Sequence, residues 1–307
     1  MPFDPSDNTA NVLAVLTRAC QLDCGYCRMR RGGPAMSRGL LKRTAAFLAG
    51  SRAASLELQL FGGEPLLVPD LVRAAVDEAE ANAQRTGKEI RVVLTTNGLL
   101  LDQAMAAFLA RRCVRVLLSL DGAPGNSGRK DVRADRVLGL LAGAGGEFFV
   151  NMVVPPEDAG RVAENARYLV AKGAREIQIA YALGVFWPER EARLLEAGLR
   201  SAAQACILRN RSSAAEPVLS SPQIIVDCDG TVSVGCALVL EERLPALARL
   251  CRVGKLGGLG GIAGLRRSRA EHLRFLRKGL AGTPDQAVLA NNLVLGRRVR
   301  EVLAHCS

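Results

Sequence analysis

Apolar positions fall along this chain in short β-branched runs, separated by longer stretches with helical spacing. Asn11-Val-Leu-Ala-Val-Leu-Thr17 is continuous and apolar, the pattern of a strand buried on both faces. The segment from Ser37 to Leu48 has helical spacing, with Ser37 as its N-cap and Gly50 as its stop. Ser55-Leu-Glu-Leu-Gln-Leu-Phe61 alternates and predicts a second strand, turned by Gly62-Gly-Glu-Pro65. A helix follows from about Pro69 to Arg85, closed by Gly87. The unit then recurs. Strands are predicted at 90–95, 114–120, 148–154 and 176–180. Helices are predicted from Asp102, over 131–142, over 159–171, and from beyond Trp187-Pro188 to about Asn210. Six strand–helix units between residues 12 and 209 imply a parallel sheet with right-handed crossovers. Six are too few for a closed eight-stranded barrel and suit a partial (β/α)6 barrel of the TIM type. Each notable polar cluster comes just after a strand, where parallel α/β proteins place their sites.

The pattern changes after residue 210. Arg211-Ser-Ser-Ala-Ala-Glu-Pro217 reads as a linker. Gln223 to Val234 reads as a β-hairpin turned at Asp229-Gly230. A short helix over 245–250, a glycine-rich run at 254–264, a basic amphipathic helix opening at Leu265 and a final helix near 286–304 complete the chain. The expected division is a barrel at 1–210, a linker at 211–217, and a smaller C-terminal α+β domain with a basic helical tail at 218–307. The glycine run contains Gly258-x-Gly260, but no βαβ unit surrounds it, so it is not a dinucleotide fingerprint.

Composition narrows the function classes. Of 307 residues, 49% are hydrophobic and only 4% aromatic, so Leu, Val and Ala fill the core. No apolar run approaches the ~20 residues of a membrane helix. The N-terminus lacks the basic and apolar regions of a signal peptide. Nine cysteines without an export signal point to a reducing cytoplasm and to thiolate ligands rather than disulfides. The net charge is +11. Six cations and no acid lie between Arg28 and Arg43, and residues 252–307 hold eleven cations against Glu271, Asp285 and Glu301. Such patches suit an acidic protein or peptide partner, nucleic acid, or simply a solvated face. One Trp and three Tyr offer little for base stacking, which weighs against nucleic acid. His272 and His305, the only histidines, are expected at the surface.

Chemistry concentrates in Cys20-Gln-Leu-Asp-Cys24-Gly-Tyr-Cys27. Three thiols lie within eight residues, and the next cysteine, Cys113, is far along the chain. A structural zinc site wants four closed ligands, and a four-iron cluster is normally held by four thiolates. Three thiolates on one loop leave one iron open to something else. The competing reading is three buried thiols that happen to be close.

Cys20-x3-Cys24-x-Tyr26-Cys27 after a first strand, followed by Gly62-Gly63-Glu64-Pro65 after a second, resembles the radical S-adenosylmethionine (SAM) superfamily, whose fold is the partial barrel. Met36-Ser37, Thr96-Asn97-Gly98 and Ser119-Leu-Asp-Gly122 resemble its SPASM/twitch branch, which includes sulfatase-maturating enzymes and ribosomal-peptide maturases. The resemblance implies that Cys20, Cys24 and Cys27 hold a [4Fe–4S] cluster whose open iron chelates SAM. Reductive cleavage of SAM then yields a radical that takes hydrogen from the substrate. It further implies that Gly62, Gly63 and Glu64 contact the methionine amino group, that Tyr26 packs by the adenine, that Ser119 meets the ribose, and that Leu183 lies where relatives present backbone to the adenine. Arg129 and Arg133 are both candidates for the SAM carboxylate. Asn151 faces the barrel mouth if strand five is phased as read, and a satisfied sheet asparagine is the alternative.

SPASM domains carry seven cysteines, whereas only Cys206, Cys228, Cys236, Cys251 and Cys306 lie beyond residue 200. Cys228, Cys236 and Cys251, completed by Cys306 or Cys206, form the one possible auxiliary cluster. A cluster-free domain is the alternative. The expected activity is hydrogen abstraction from a peptide or protein side chain. A flavodoxin- or ferredoxin-type donor would supply the electron. A separate leader-binding protein or the basic C-terminal region would hold a precursor peptide, since the barrel starts close to Met1. A small-molecule enzyme resembling a nucleotide cyclase is the second reading, with the Ala304-His-Cys-Ser307 ending in place of that relative's diglycine tail counting against it. A non-catalytic iron–sulfur electron carrier is the third.

Overall fold

The computed structural model describes residues 7–126, 133–204, 207–208, 218–235 and 237–305. Six parallel strands follow the predicted order. They are β1 (Asn11–Thr17), β2 (Ser55–Gly62), β3 (Glu89–Thr96), β4 (Arg115–Ser119), β5 (Phe148–Val154) and β6 (Glu176–Tyr181). The helices between and after them are α1 (Arg38–Ala49), α2 (Pro69–Thr86), α3 (Gln103–Arg111), α4 (Ala134–Gly143), α5 (Val162–Ala171) and α6 (Glu189–Ala203). Local sequence sets their ends. The Ser37 and Asp102 side chains accept from Leu40 and Met105 amides as N-caps. Gly87 ends α2 in the left-handed conformation at φ 68°.

Alternation within the strands sorts side chains to two sides. Val12, Ala14 and Leu16 of β1 and Leu56, Leu58 and Leu60 of β2 are fully buried and belong to the main core. The opposite face carries Leu13, Gln59, Ser119, Asn151 and Gln178, all of which line one cavity. Helices cover one side of the sheet, and this polar-bearing side is left for the site.

Among the described residues the sheet has ten strands, ordered β10-β9-β8-β1-β2-β3-β4-β5-β6-β7, and its ends are not joined. Four strands follow α6, namely β7 (Ile207–Leu208), β8 (Ile224–Val226), β9 (Thr231–Val234) and β10 (Arg252–Lys255). The predicted hairpin is β8–β9. It joins the barrel sheet directly, with β8 parallel to β1 at Val12↔Ile224 and Ala14↔Val226. Three more helices, α7 (Pro245–Cys251), α8 (Arg269–Gly279) and α9 (Asp285–Ala304), complete the C-terminal part.

Two predicted elements are corrected. The last barrel helix ends at Ala203, not near Asn210, and Ile207–Leu208 instead extend the sheet beside β6. The basic helix opens at Arg269, not Leu265, because Ser268 and Glu271 form a reciprocal capping box. The predicted linker 211–217 lies outside the described residues, as do Arg129, Cys206, Cys236 and Cys306.

Candidate functional site

A cavity of about 800 Å³ occupies the concave side of the sheet, and Cys20, Cys24 and Cys27 line it together with Tyr26, Gly62, Gly63, Asn97, Ser119 and Leu183. Residues far apart in sequence thus reach one chamber because each follows or ends a parallel strand. Register builds part of the wall. Ser119 pairs with Asn151, and Asn151 with Gln178, giving one polar rung across β4, β5 and β6. Asn151 therefore faces the cavity, as its phase predicted.

The cysteine loop is held at both ends. The Cys27 amide donates to the Cys24 carbonyl at 2.9 Å, folding the second half into a tight turn. The Leu22 amide donates to Cys20 Sγ at 3.4 Å, and Asn97 Nδ2 stands 4.0 Å from the same sulfur. Burial pushes the Cys20 thiol up from its ordinary value, with the Leu22 amide opposing it. Before the loop, Arg18 binds Asp227, and its Nη1 lies 2.6 Å from Glu241. Burial opposes the Arg18 charge, but the two carboxylates outweigh burial and raise its affinity for the proton. After the loop, the Arg28 amide donates to Val239 and its carbonyl accepts from Glu242. The cysteine loop is therefore clasped by Asp227 at the hairpin and by Val239, Glu241 and Glu242 beyond it.

Gly62 and Gly63 serve the chain's own packing. A Cβ would stand 2.2 Å from the Thr17 carbonyl at Gly62, where φ is +154°, and 2.2 Å from the Ala19 carbonyl at Gly63. The amides of Gly63 and Glu64 donate to those same carbonyls, each at 2.8 Å. The end of β2 is thus fastened to the segment entering Cys20. Glu64 is fully buried, and its side chain is not part of the cavity wall. Its carboxylate accepts from the Leu66 amide at 2.9 Å, the Thr96 hydroxyl at 2.7 Å and the Asn97 amide at 2.8 Å. Tyr26 donates to Asp121 at 2.7 Å, and Asp121 also accepts from the Val153 amide. Arg133 is exposed beside Asp135 and does not line the cavity.

Sequence reasoning did not anticipate one wall. Gly296, Val299, Arg300, Leu303 and His305, in and just after α9, line the same cavity as the cysteines. Asn292 secures this helix. Its Oδ1 accepts from Gly184, its Nδ2 donates to Val185, and its carbonyl accepts from the Tyr181 hydroxyl. Only an amphipathic spacing in the final helix could have hinted at this. Gln59, a polar position in the apolar strand β2, and Gln223, just before β8, also line the cavity, and the alternation of β2 could have pointed to the first.

The two described cysteines of the predicted C-terminal set lie apart. Cys228 lies at the turn of the hairpin, next to Asp227, whereas Cys251 approaches Gly235 at the opposite end. Burial pushes Cys251 up to about 12 and Cys228 up to about 11. His272, expected at the surface, is fully buried, and the Arg267 guanidinium meets its Nδ1 at 3.2 Å. Its apolar neighbours, Leu273 and Leu276, carry the helix face inward with it.

Among the described residues, no trio of His, Cys, Asp or Glu is gathered for a single metal ion. Three thiols spread along one loop around a shared cavity are instead a donor set for a multi-iron cluster. One of them, Cys20, already receives an N–H hydrogen bond, as a metal-bound thiolate does. The residues fit such a group.

Comparison with known proteins agrees. The radical SAM superfamily model matches residues 14–169. A GTP 3',8-cyclase of Mycobacterium marinum is 31% identical over 176 residues, covering 52% of this chain and 46% of that one. The PqqA peptide cyclase of Gluconobacter oxydans is 28% identical over 196 residues, 60% of this chain and 53% of its own. The chain spans about half the length of the curated relatives it matches. By structure, native anSMEcpe with bound AdoMet aligns at a TM-score of 0.68 and 18% identity, covering 90% of this chain and 81% of its own. Streptococcus suis SuiB bound to S-adenosylmethionine aligns at 0.63 and 12%, covering 91% and 71%. With its family match over half its length, its open α/β sheet and its three loop cysteines at the sheet's mouth, the chain belongs to the radical SAM superfamily, enzymes whose cofactors are a [4Fe–4S] cluster and SAM.

Proposed function

We propose that this enzyme abstracts hydrogen from a side chain of a peptide or protein. The observation that carries this reading is the character of the cavity. Its polar lining is mostly neutral: Gln59, Asn97, Ser119, Asn151, Gln178 and Gln223, with aliphatic side chains between them. Among the described residues Arg31 and Arg300 are its only Lys or Arg residues, and Glu301 offsets part of their charge. A nucleoside triphosphate calls for several cations at its phosphates. A peptide side chain beside SAM does not. The solved structures that align over nine-tenths of the chain include anSMEcpe with the Kp18Cys peptide, and SuiB has also been solved with its precursor peptide SuiA. The GTP cyclases align over about half of it.

In this reading Cys20, Cys24 and Cys27 hold the cluster, which with SAM supplies the hydrogen-abstracting group. The remaining work belongs to the chain. Gly62 and Gly63 fix the backbone beside the cluster loop, and Tyr26 is oriented by Asp121. The Ser119–Asn151–Gln178 rung presents neutral hydrogen-bonding groups, and the apolar residues of α9 keep water from the reacting side chain. A flavodoxin- or ferredoxin-type donor supplies the electron, and a separate leader-binding protein presents the peptide. No helix among the described residues is long and apolar enough to cross a membrane.

The test is anaerobic reconstitution with iron and sulfide, then dithionite, SAM and GTP. Formation of 5′-deoxyadenosine that GTP neither accelerates nor depends on, with GTP recovered intact, supports the peptide reading. Conversion of GTP coupled one-to-one to 5′-deoxyadenosine would replace it with the cyclase reading.

A further inference from the structure

The two basic stretches of the sequence meet in space. Arg30 and Arg31, from the stretch after the cysteine loop, and Arg252 and Lys255, from β10, line one depression of about 580 Å³. Arg18, Gly32, Gly33 and Cys228 also border it. This depression is separate from the cofactor cavity, and Arg31, four residues after Cys27, lines both.

Its charges are not all balanced. Asp227 and Glu241 are committed to Arg18, and Asp229 to Lys255 at 2.7 Å. Arg30 and Arg252 are exposed, and no carboxylate of the described residues forms an ion pair with either guanidinium, Glu241 meeting only the Arg30 backbone amide. The depression is also close to the cluster loop along the chain. Arg30 is three residues from Cys27, so their Cα atoms are at most about 11 Å apart. Arg18 is two residues from Cys20, at most about 7 Å.

We infer that this depression is the docking surface for an acidic one-electron carrier protein. The inference rests on the radical SAM chemistry proposed above, which consumes one electron per SAM cleaved. That electron must come from outside the chain. The cavity side of the cysteine loop is given over to SAM and substrate, so the carrier approaches from the outer side, where the unbalanced cations lie. On docking, the reduced carrier loses one electron and the [4Fe–4S] cluster gains it, with no atom transferred. The positive rim speeds encounter with an acidic partner and orients it over the loop.

The test measures 5′-deoxyadenosine formation by the reconstituted enzyme with two reductants, dithionite and photoreduced flavodoxin. The double variant Arg30→Glu/Arg252→Glu should keep its dithionite-driven rate within about twofold and raise KM for flavodoxin about tenfold at low salt. That gap should close as NaCl approaches ~0.5 M. The variant Arg190→Glu/Arg277→Glu makes the same change of net charge on exposed positions elsewhere, and should leave KM for flavodoxin unchanged. Equal KM values for Arg30→Glu/Arg252→Glu and the unaltered enzyme at low salt would overturn the inference. So would an equal rise in the Arg190/Arg277 variant, which would make the effect one of net charge alone. If the glutamates also lower the dithionite rate, Arg30→Gln/Arg252→Gln decides, with a rise of about threefold in KM for flavodoxin expected and no rise overturning the inference. Failure of the unaltered enzyme with dithionite would refute the chemistry itself, which separates that outcome from failure of the docking surface.

Discussion

Glu64 offers the sharpest test of how the site is built, because two roles for it make opposite forecasts. Family resemblance places Glu64 at the SAM amino group, through either its carboxylate or its backbone carbonyl. The structure places the carboxylate behind the wall, accepting from Leu66 N, Thr96 Oγ1 and Asn97 N. Replacing Glu64 with Gln keeps the shape but loses one acceptor oxygen and points an NH2 group at an N–H donor. A hydrogen bond to a charged acceptor contributes about 1.5–3 kcal/mol, and a buried donor left unpaired costs about 1–3 kcal/mol. Glu64→Gln should therefore cost about 2–3 kcal/mol. Glu64→Ala, which strands three donors and opens a void, should cost about 4 kcal/mol or more. For a chain of this length, 2–3 kcal/mol corresponds to a fall of roughly 3–5 °C in Tm. The assay is thermal or urea unfolding of the protein stripped of iron and without SAM, so that only the fold is read. A side chain that acts only on SAM would leave this unfolding unchanged and weaken SAM binding alone. A Glu64→Gln transition within 1 °C of the unaltered protein would refute the pinning role.

Further outcomes follow from the same geometry. Each of Cys20→Ala, Cys24→Ala and Cys27→Ala should abolish retained iron and 5′-deoxyadenosine formation while leaving the far-UV circular dichroism intact, as measured by iron analysis and product chromatography. Gly62→Ala sets a Cβ 2.2 Å from the Thr17 carbonyl and should destabilise the fold by about 2–4 kcal/mol in urea titration. Asn292→Ala frees the Gly184 amide and the Val185 carbonyl inside the protein. It should cost about 2–4 kcal/mol and speed hydrogen exchange in residues 182–187 and α9 more than in β1–β3.

The barrel was legible because its strands are short, β-branched and evenly interrupted, and nothing in their environment overrides that pattern. The cysteines, Gly62-Gly63 and Ser119 were legible for a related reason. Each ends or follows a parallel strand, so order along the sequence maps onto position around the mouth. What escaped was long-range. Nothing local in Asn291-Asn292 says that these amides clasp residues 184–187 across more than a hundred positions. His272 looked like a surface residue because its neighbours are arginines. One turn further along, Leu276 packs inward, and the helix phase takes His272 with it. The capping box at Ser268 and Glu271 was readable and would have placed that helix correctly.

The C-terminal part is bound to the barrel through the same strand that leads into the cluster loop. β8 pairs with β1, and the next residue after β1, Arg18, is clasped by Asp227 just past β8 and by Glu241. Any shift of the hairpin relative to β1 would pull on the chain two residues before Cys20. At the other open end, α9 is tied to the loop after β6 and contributes a wall of the cavity. Residues beyond 218 thus cover the β1 edge of the six-stranded barrel, where they hold the cysteine loop, and tie down the loop after β6, where their last helix lines the cavity. That arrangement gives a physical reason for the C-terminal residues even without a second cluster. They set the position of the first one and shape the chamber in front of it.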